Sequence, residues 1–123
     1  MTLLTDSNLI IYAASGNYPG LVNWFVENKV FVSAVSMVET FGYHKLKPQE
    51  KEALKVIFAE LTVLYPTPEI FKIAIDLRQR HSMSLGDVFI AATALHHNLT
   101  LATRNIKDFE WIKSLTTINP MDE

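Results

Sequence analysis

The sequence predicts an α/β domain, a parallel sheet with helices packed on both of its faces. Three observations predict it. Short segments rich in β-branched residues alternate with longer helical ones along the chain. The helical segment that ends at His97 is apolar almost all round, the pattern of a central and buried helix. The 123 residues, 49% of them hydrophobic, suit one compact domain with a real core. No internal repeat, low-complexity tract or linker divides the chain, so residues 1–123 are read as a single domain.

The elements follow in order. Leu3 to Thr5 is a short strand that stops at Asp6. Leu9 to Ala14 is a helix, ended by Gly16. The segment from Tyr18 to Asn28, with Leu21, Val22, Trp24, Phe25 and Val26, fits a second helix. Val30 to Val35 reads as a buried strand. Ser36 then opens a helix to about Leu46. Pro48 starts another, with Leu54, Ile57, Phe58 and Leu61 at helical spacing. Thr62 to Tyr65 is a short strand. Thr67-Pro68-Glu69 begins a helix whose apolar stripe is Ile70, Ile73, Ala74 and Leu77. Ser84 to His97 is the buried helix, with Asn98 suited to a left-handed cap. Thr100 to Thr103 and Thr116 to Ile118 are the last strands.

Composition excludes several classes. A net charge of −2, from 11 basic and 13 acidic residues, is not the basic footprint of a duplex-binding protein. The absence of cysteine excludes disulfides and thiolate metal sites. Asp6 interrupts the first apolar stretch, which has no basic flank, so a signal peptide is not expected. No apolar run approaches a membrane span. The expectation is a cytoplasmic protein with no membrane partner.

In parallel sheets, ligands bind beyond the carboxyl ends of the strands, and that rule sorts the acids. Glu50 and Glu52 flank Lys51, Asp76 stands four residues before Arg80, and Asp122 and Glu123 are at the tail. These read as solvated. Four others fall at the predicted rim. Asp6 follows the first strand, and Glu39 lies one turn past the second. Asp87 begins the buried helix, and Asp108 lies just past Ala102-Thr103. Crowded carboxylates repel and need a cation or a shifted pKa. Oxygen ligands of this kind suit Mg²⁺ or Mn²⁺, and the matching chemistry is metal-assisted displacement at phosphorus. Each acid also has a local reading. Ser36-Met37-Val38-Glu39 has the form of a capping box and Ser84-Leu85-Gly86-Asp87 resembles one. Asp6 can cap a helix starting near Asn8, and Asp108 can simply be solvated. Taken together, four acids at such positions favour one metal-binding site.

At these residues the sequence resembles PIN-domain proteins, and more closely VapC-type toxin ribonucleases. The matching pieces are Leu4-Thr5-Asp6-Ser7-Asn8, Ser33 to Glu39, Ser84 to Ala94, and Leu101 to Phe109. They come in the family's order and span nearly the whole chain. The resemblance implies a PIN-like three-layer α/β/α fold with a mainly parallel five-stranded sheet. It implies Mg²⁺ or Mn²⁺ and cleavage of single-stranded RNA. Asp6, Glu39 and Asp87 match the three core acidic positions. The fourth is shared between Asn105 and Asp108, with Asp108 the candidate ligand and Asn105 a supporting one. Asn8 and Thr103 match positions behind the ligands. The resemblance also implies a homodimer held inactive by a cognate antitoxin.

The mechanism so implied is hydrolysis by metal-activated water, with Asp6 and Asp87 as main ligands and Glu39 as ligand or proton acceptor. Arg104 and Lys107, which stand just before Asp108 in sequence, are candidates for RNA phosphate contacts, ahead of Arg78, Arg80, Lys45 and Lys47. His96-His97 reads as a helix C-terminus rather than a ligand pair. Trp24 and Trp111 read as core or dimer contacts, with base stacking as the alternative. Two other classes share the pattern. A phosphoreceiver module needs paired acids after its first strand and a lysine after its last. Here Ser7-Asn8 follows Asp6 and Lys107 is poorly placed. A PIN-like module that only binds partners would have lost an acid, and none of the core three is lost.

Overall fold

A computed structural model describes residues 2–121, so the tail acids Asp122 and Glu123 lie outside the described residues. The strands are β1 (Leu3–Thr5), β2 (Val30–Ser33), β3 (Leu61–Leu64), β4 (Thr100–Ala102) and β5 (Thr117–Ile118). They form one sheet in the order β3-β2-β1-β4-β5. Every pair is parallel, with Leu3 opposite Val30 on one side and Thr100 on the other. Parallel neighbours require crossovers. Helices α1 (Ser7–Ala14) and α2 (Pro19–Glu27) join β1 to β2, and α3 (Ala34–Phe41) and α4 (Pro48–Ala59) join β2 to β3. Helices α5 (Pro68–Arg80) and α6 (Leu85–His97) lead back to β4.

The period of two along the strands separates the layers. Leu3, Val30, Val32 and Ala102 pack with Leu9, Ile10, Phe25, Leu54 and Ile57 on one side. Leu4, Phe31 and Leu101 pack with Ile70, Leu77, Val88 and Ile90 on the other. The result is a three-layer α/β/α domain, as the resemblance implied. Each fully buried Leu or Ile contributes roughly 1.5–3 kcal/mol. Loss of one from either layer therefore removes a large share of a small domain's stability.

Local signals set the ends of the elements. Gly16 takes φ +82 beyond α1, and Asn98 takes φ 55 and ψ 48 beyond α6. The Thr67 hydroxyl accepts the Ile70 N–H at 3.3 Å to start α5.

Some boundaries differ from the sequence reading. β2 stops at Ser33 rather than Val35, because the Ser33 hydroxyl accepts the Val35 N–H at 3.2 Å and starts α3 there. Ser36 is therefore inside the helix and buried, and Ser36 and Glu39 form no capping box. α3 ends at Phe41 instead of running to Leu46, with the Gly42 N–H bonded to the Val38 carbonyl at 2.9 Å. Leu61 begins β3 opposite Val30 rather than ending α4. A 3₁₀ turn at Ile106–Asp108 has no counterpart in the sequence reading.

The strand order places the site. From β1 the chain steps outward to β2 and β3, then returns to β4 on the other side of β1. The crevice beyond the carboxyl ends of β1 and β4 is where the direction of winding reverses, the usual ligand position in such sheets. Asp6 and Thr103 are the residues that follow those two strands.

Candidate active site

Asp6 is held from three directions. Its N–H donates to the Ala102 carbonyl at 3.1 Å, which continues the β1–β4 pairing by one rung. Its Oδ1 accepts the Leu9 N–H at 2.9 Å and so caps α1. Its Oδ2 accepts the Thr103 hydroxyl at 2.6 Å. The residue is only 3% exposed. Capping and a place in the acidic site are thus not alternatives for Asp6, because one carboxylate does both. Burial is the main cause that raises its pKa above 3.8; the Thr103 and Leu9 bonds oppose this, and the charges of Asp87 and Glu39 add to it.

Glu39 lies on the solvent-facing side of α3, one turn beyond the start, and reaches back to α1. Its Oε1 is 2.7 Å from the Ser7 hydroxyl, and Ser7 is 2.8 Å from the Ser36 hydroxyl. A single hydroxyl proton serves one acceptor, and a carboxylate only accepts. Ser7 therefore donates to Glu39 and accepts from Ser36. The second wall is Gly86 on α6. A Cβ placed there would lie 2.6 Å from the Glu39 Cδ, inside contact distance. The glycine in Ser84-Leu85-Gly86-Asp87 is thus what admits the Glu39 carboxyl group.

Asp87 sits in the first turn of α6, where the Ser84 hydroxyl accepts its N–H at 3.1 Å. Partial burial is the largest cause that raises its pKa above 3.8. Ser84 lowers it, and the charges of Asp108 and Glu39 raise it further. Asp108 is exposed at the end of the 3₁₀ turn, its N–H on the Asn105 carbonyl at 3.0 Å. Asp87, Asp108, Lys107 and Ser84 line one depression of about 300 Å³. The four acids are therefore arranged in series. The charges of Asp87 and Glu39 act on Asp6, and those of Asp108 and Glu39 act on Asp87.

The remaining candidates fall as follows. Asn8 is exposed in the first turn of α1, while its neighbour Ser7 makes the contact to Glu39. Thr103 is fully buried, and its hydroxyl also accepts the Asn105 N–H at 3.0 Å. Asn105 thus braces Thr103 through its backbone. Arg104 is exposed, with its guanidinium over the Tyr12 ring at 5.2 Å. Hydrogen bonding to the Tyr18 hydroxyl is the main cause that raises its pKa. Lys107 is exposed beside Asp108. Arg78 is occupied by the Met83 carbonyl at 3.3 Å and Arg80 by Asp76 at 3.2 Å.

Three residues of the site escape the sequence reading: Ser7, Ser36 and Gly86. A glycine inside a helix sacrifices on the order of 1 kcal/mol against alanine, which is the one signal that points to a close approach at Gly86.

The donor set suits a hard divalent cation. All its side-chain donors are oxygens, and no basic side chain is among the groups that shift Asp6 or Asp87. Among the described residues, no three acidic or imidazole side chains, as placed, already form a group that could hold an ion. The carboxylates are near enough to repel one another but do not converge on a common point.

Comparison with known proteins bears on the family and the fold. The PIN domain family matches residues 3–113. Ribonuclease VapC1 of Rickettsia felis is 28% identical over 129 aligned positions, covering 96% of each chain. The structure of VapBC-1 from nontypeable Haemophilus influenzae matches with a TM-score of 0.76 at 26% identity, covering 97% of this chain and 98% of that one. VapBC2 from Rickettsia felis, bound to a DNA fragment from their promoter, matches with a TM-score of 0.79 at 24% identity, again covering 97% and 98%. At that identity the last similarity bears on the fold alone. The family match runs from the first strand past the last of the four acids and takes in β1 to β4: the chain belongs to the PIN-domain family.

Proposed function

We propose that this protein is a Mg²⁺- or Mn²⁺-dependent endoribonuclease that cuts single-stranded RNA and acts as the toxin of a toxin–antitoxin pair. One observation carries the chemistry. Burial and the charges of Asp87 and Glu39 raise the pKa of Asp6, burial and the charges of Asp108 and Glu39 raise that of Asp87, and no basic side chain is among the groups that shift either. Family membership and the similarity to a ribonuclease VapC1 support the reading.

Asp6 and Asp87 would hold the ion, with Glu39 and Asp108 completing the set directly or through water. When bound, such an ion lowers the pKa of its water and neutralises charge on the phosphoryl oxygens. Glu39 would accept the proton of the attacking water. The Ser36–Ser7 chain fixes its Oε1 and leaves the rest of the carboxylate free for that step. The Thr103 hydroxyl favours the ionised form of Asp6 and aims its Oδ2. Arg104 and Lys107, both exposed on the β4–β5 connection, would hold flanking phosphates.

The partners are a cognate antitoxin and a second copy of the chain. An apolar groove of about 260 Å³, lined by Ile11, Tyr43, Leu46 and Leu54, runs up to Glu39. A bound antitoxin segment there would reach the carboxylate. Phe71 and Ile75, one turn apart and exposed on α5, support a homodimer contact. No described helix is long and apolar enough to cross a membrane, and a cytoplasmic location follows from the substrate.

The test is cleavage of a single-stranded RNA by chelator-treated protein with and without Mg²⁺ or Mn²⁺. Cleavage that needs no ion, or no cleavage with either ion, overturns the reading.

A further inference from the structure

We propose that His81, stacked on Trp111, is a nucleobase platform that holds the nucleotide flanking the scissile phosphate; the inference rests on the RNA-cleaving reading above. His81 lines the same depression as Asp87, Asp108 and Lys107. Its imidazole lies flat on the Trp111 indole, with ring centroids 4.6 Å apart and planes 11° from parallel. The other aromatic contacts among the described residues are inclined by 43° to 80°. Edge contacts are common where rings simply fill a core. A parallel pair with an exposed outer member instead offers the flat face that a base requires.

Both rings are held for this geometry. His81 Nδ1 is 2.9 Å from the Ser82 carbonyl, which can only accept, so Nδ1 carries a proton and the ring is pinned by it. Arg78 ties the same loop through the Met83 carbonyl. Trp111 Nε1 is buried and has no hydrogen-bond partner among the described residues, so the contacts named for the indole are made through its ring. One contact on the ring is His81, and another is the Arg80 guanidinium 5.5 Å from the ring centroid. Lys107 adds a positive charge on the rim of the depression.

An RNA strand with its scissile phosphate at the acids would cross this depression. A neighbouring phosphate would pass Lys107, and the next base would extend the stack on His81. Stacking of this kind is tolerant of base identity, because every base has a π-face. The subsite thus contributes grip and register rather than a strict sequence code.

The experiment uses the full chain with Mg²⁺ and a short single-stranded RNA that the wild-type protein cuts. Copies of that RNA carry an abasic ribose at each position flanking the cut. At one position the abasic change is expected to raise KM about tenfold for the wild type, as the loss of one stacked base does, with kcat within about twofold. His81→Ala is expected to give the same rise on intact RNA and no further rise on that abasic copy. His81→Phe, which keeps the flat face, is expected to restore wild-type KM. If His81→Ala leaves KM unchanged, or if its effect multiplies with the abasic change at every position, the subsite is overturned while the nuclease reading stands. If wild-type protein cuts no single-stranded RNA with either ion, both fall.

Discussion

The Thr103 hydroxyl donates to Asp6 Oδ2 at 2.6 Å, across the carboxyl ends of two adjacent strands. This bond lowers the pKa of a carboxyl group that burial pushes up. Thr103→Val keeps the shape and removes the donor. Hydrogen bonds to charged groups are worth about 1.5–3 kcal/mol, so a loss of that order is expected in urea denaturation at pH 7. The loss should shrink in acid, where Asp6 is protonated. A remainder persists there, because the Asn105 N–H has also lost its acceptor. An equal loss at pH 7 and in acid would show that Asp6 is not charged in the folded state.

Ser7 and Glu39 are expected to separate stability from activity. Ser7→Ala frees Glu39 Oε1 and should lower kcat about tenfold with little change in KM. Direct removal of the proton acceptor in Glu39→Gln should cost about 10²-fold or more. Because no capping box involves Glu39, that variant should unfold within about 0.5 kcal/mol of the wild type. Ser33→Ala, which does remove the α3 cap, is expected to lose about 1 kcal/mol.

Gly86→Ala should be nearly neutral for folding, since alanine favours a helix by about 1 kcal/mol and the contact it meets is a side-chain end. Cleavage is expected to fall more than tenfold, because the new methyl group occupies the place of the Glu39 carboxyl group. Unchanged cleavage would mean that Glu39 acts from another position.

The pH dependence has a definite sign. Asp6 and Asp87 have folded pKa values raised above 3.8. Between that value and the folded pKa, the unfolded chain is ionised while the folded chain keeps its proton. Stability therefore falls as pH climbs through that window, and the full penalty is present above it. Metal-free protein should thus gain stability as the pH is lowered through that window towards 3.8. Mg²⁺ at ten times its Kd should return about 1.4 kcal/mol at pH 7, and this gain should vanish at low pH. Asp87→Asn should raise the melting temperature of the metal-free protein and abolish the Mg²⁺ response. Thermal melts with and without chelator check each part.

The layers and most elements are legible in the sequence, because they follow from periodicity. Leu3 and Leu4 turn to opposite layers as a period of two demands, and Thr67 and Asn98 act as the caps their chemistry suggests. The start of α3 is ambiguous in sequence because two serines three residues apart both suit a cap. The choice of Ser33 is made by tertiary contact, since Ser36 is committed to Ser7. The rim acids are legible from the strand-end rule. Their hydrogen-bond partners do not follow from that rule, because Thr103 for Asp6 and Ser7 for Glu39 stand on other elements.

The placement of β1 has a consequence for synthesis. One edge of β1 pairs with β2, but the other waits for β4 at residues 100–102. Until the ribosome has released β4, Asp6 has no Thr103 beside it and its carboxylate faces water. A nascent chain carrying every residue through α6 would still lack the finished crevice. The last piece of that crevice is thus supplied by a strand nearly a hundred residues after the carboxylate it completes.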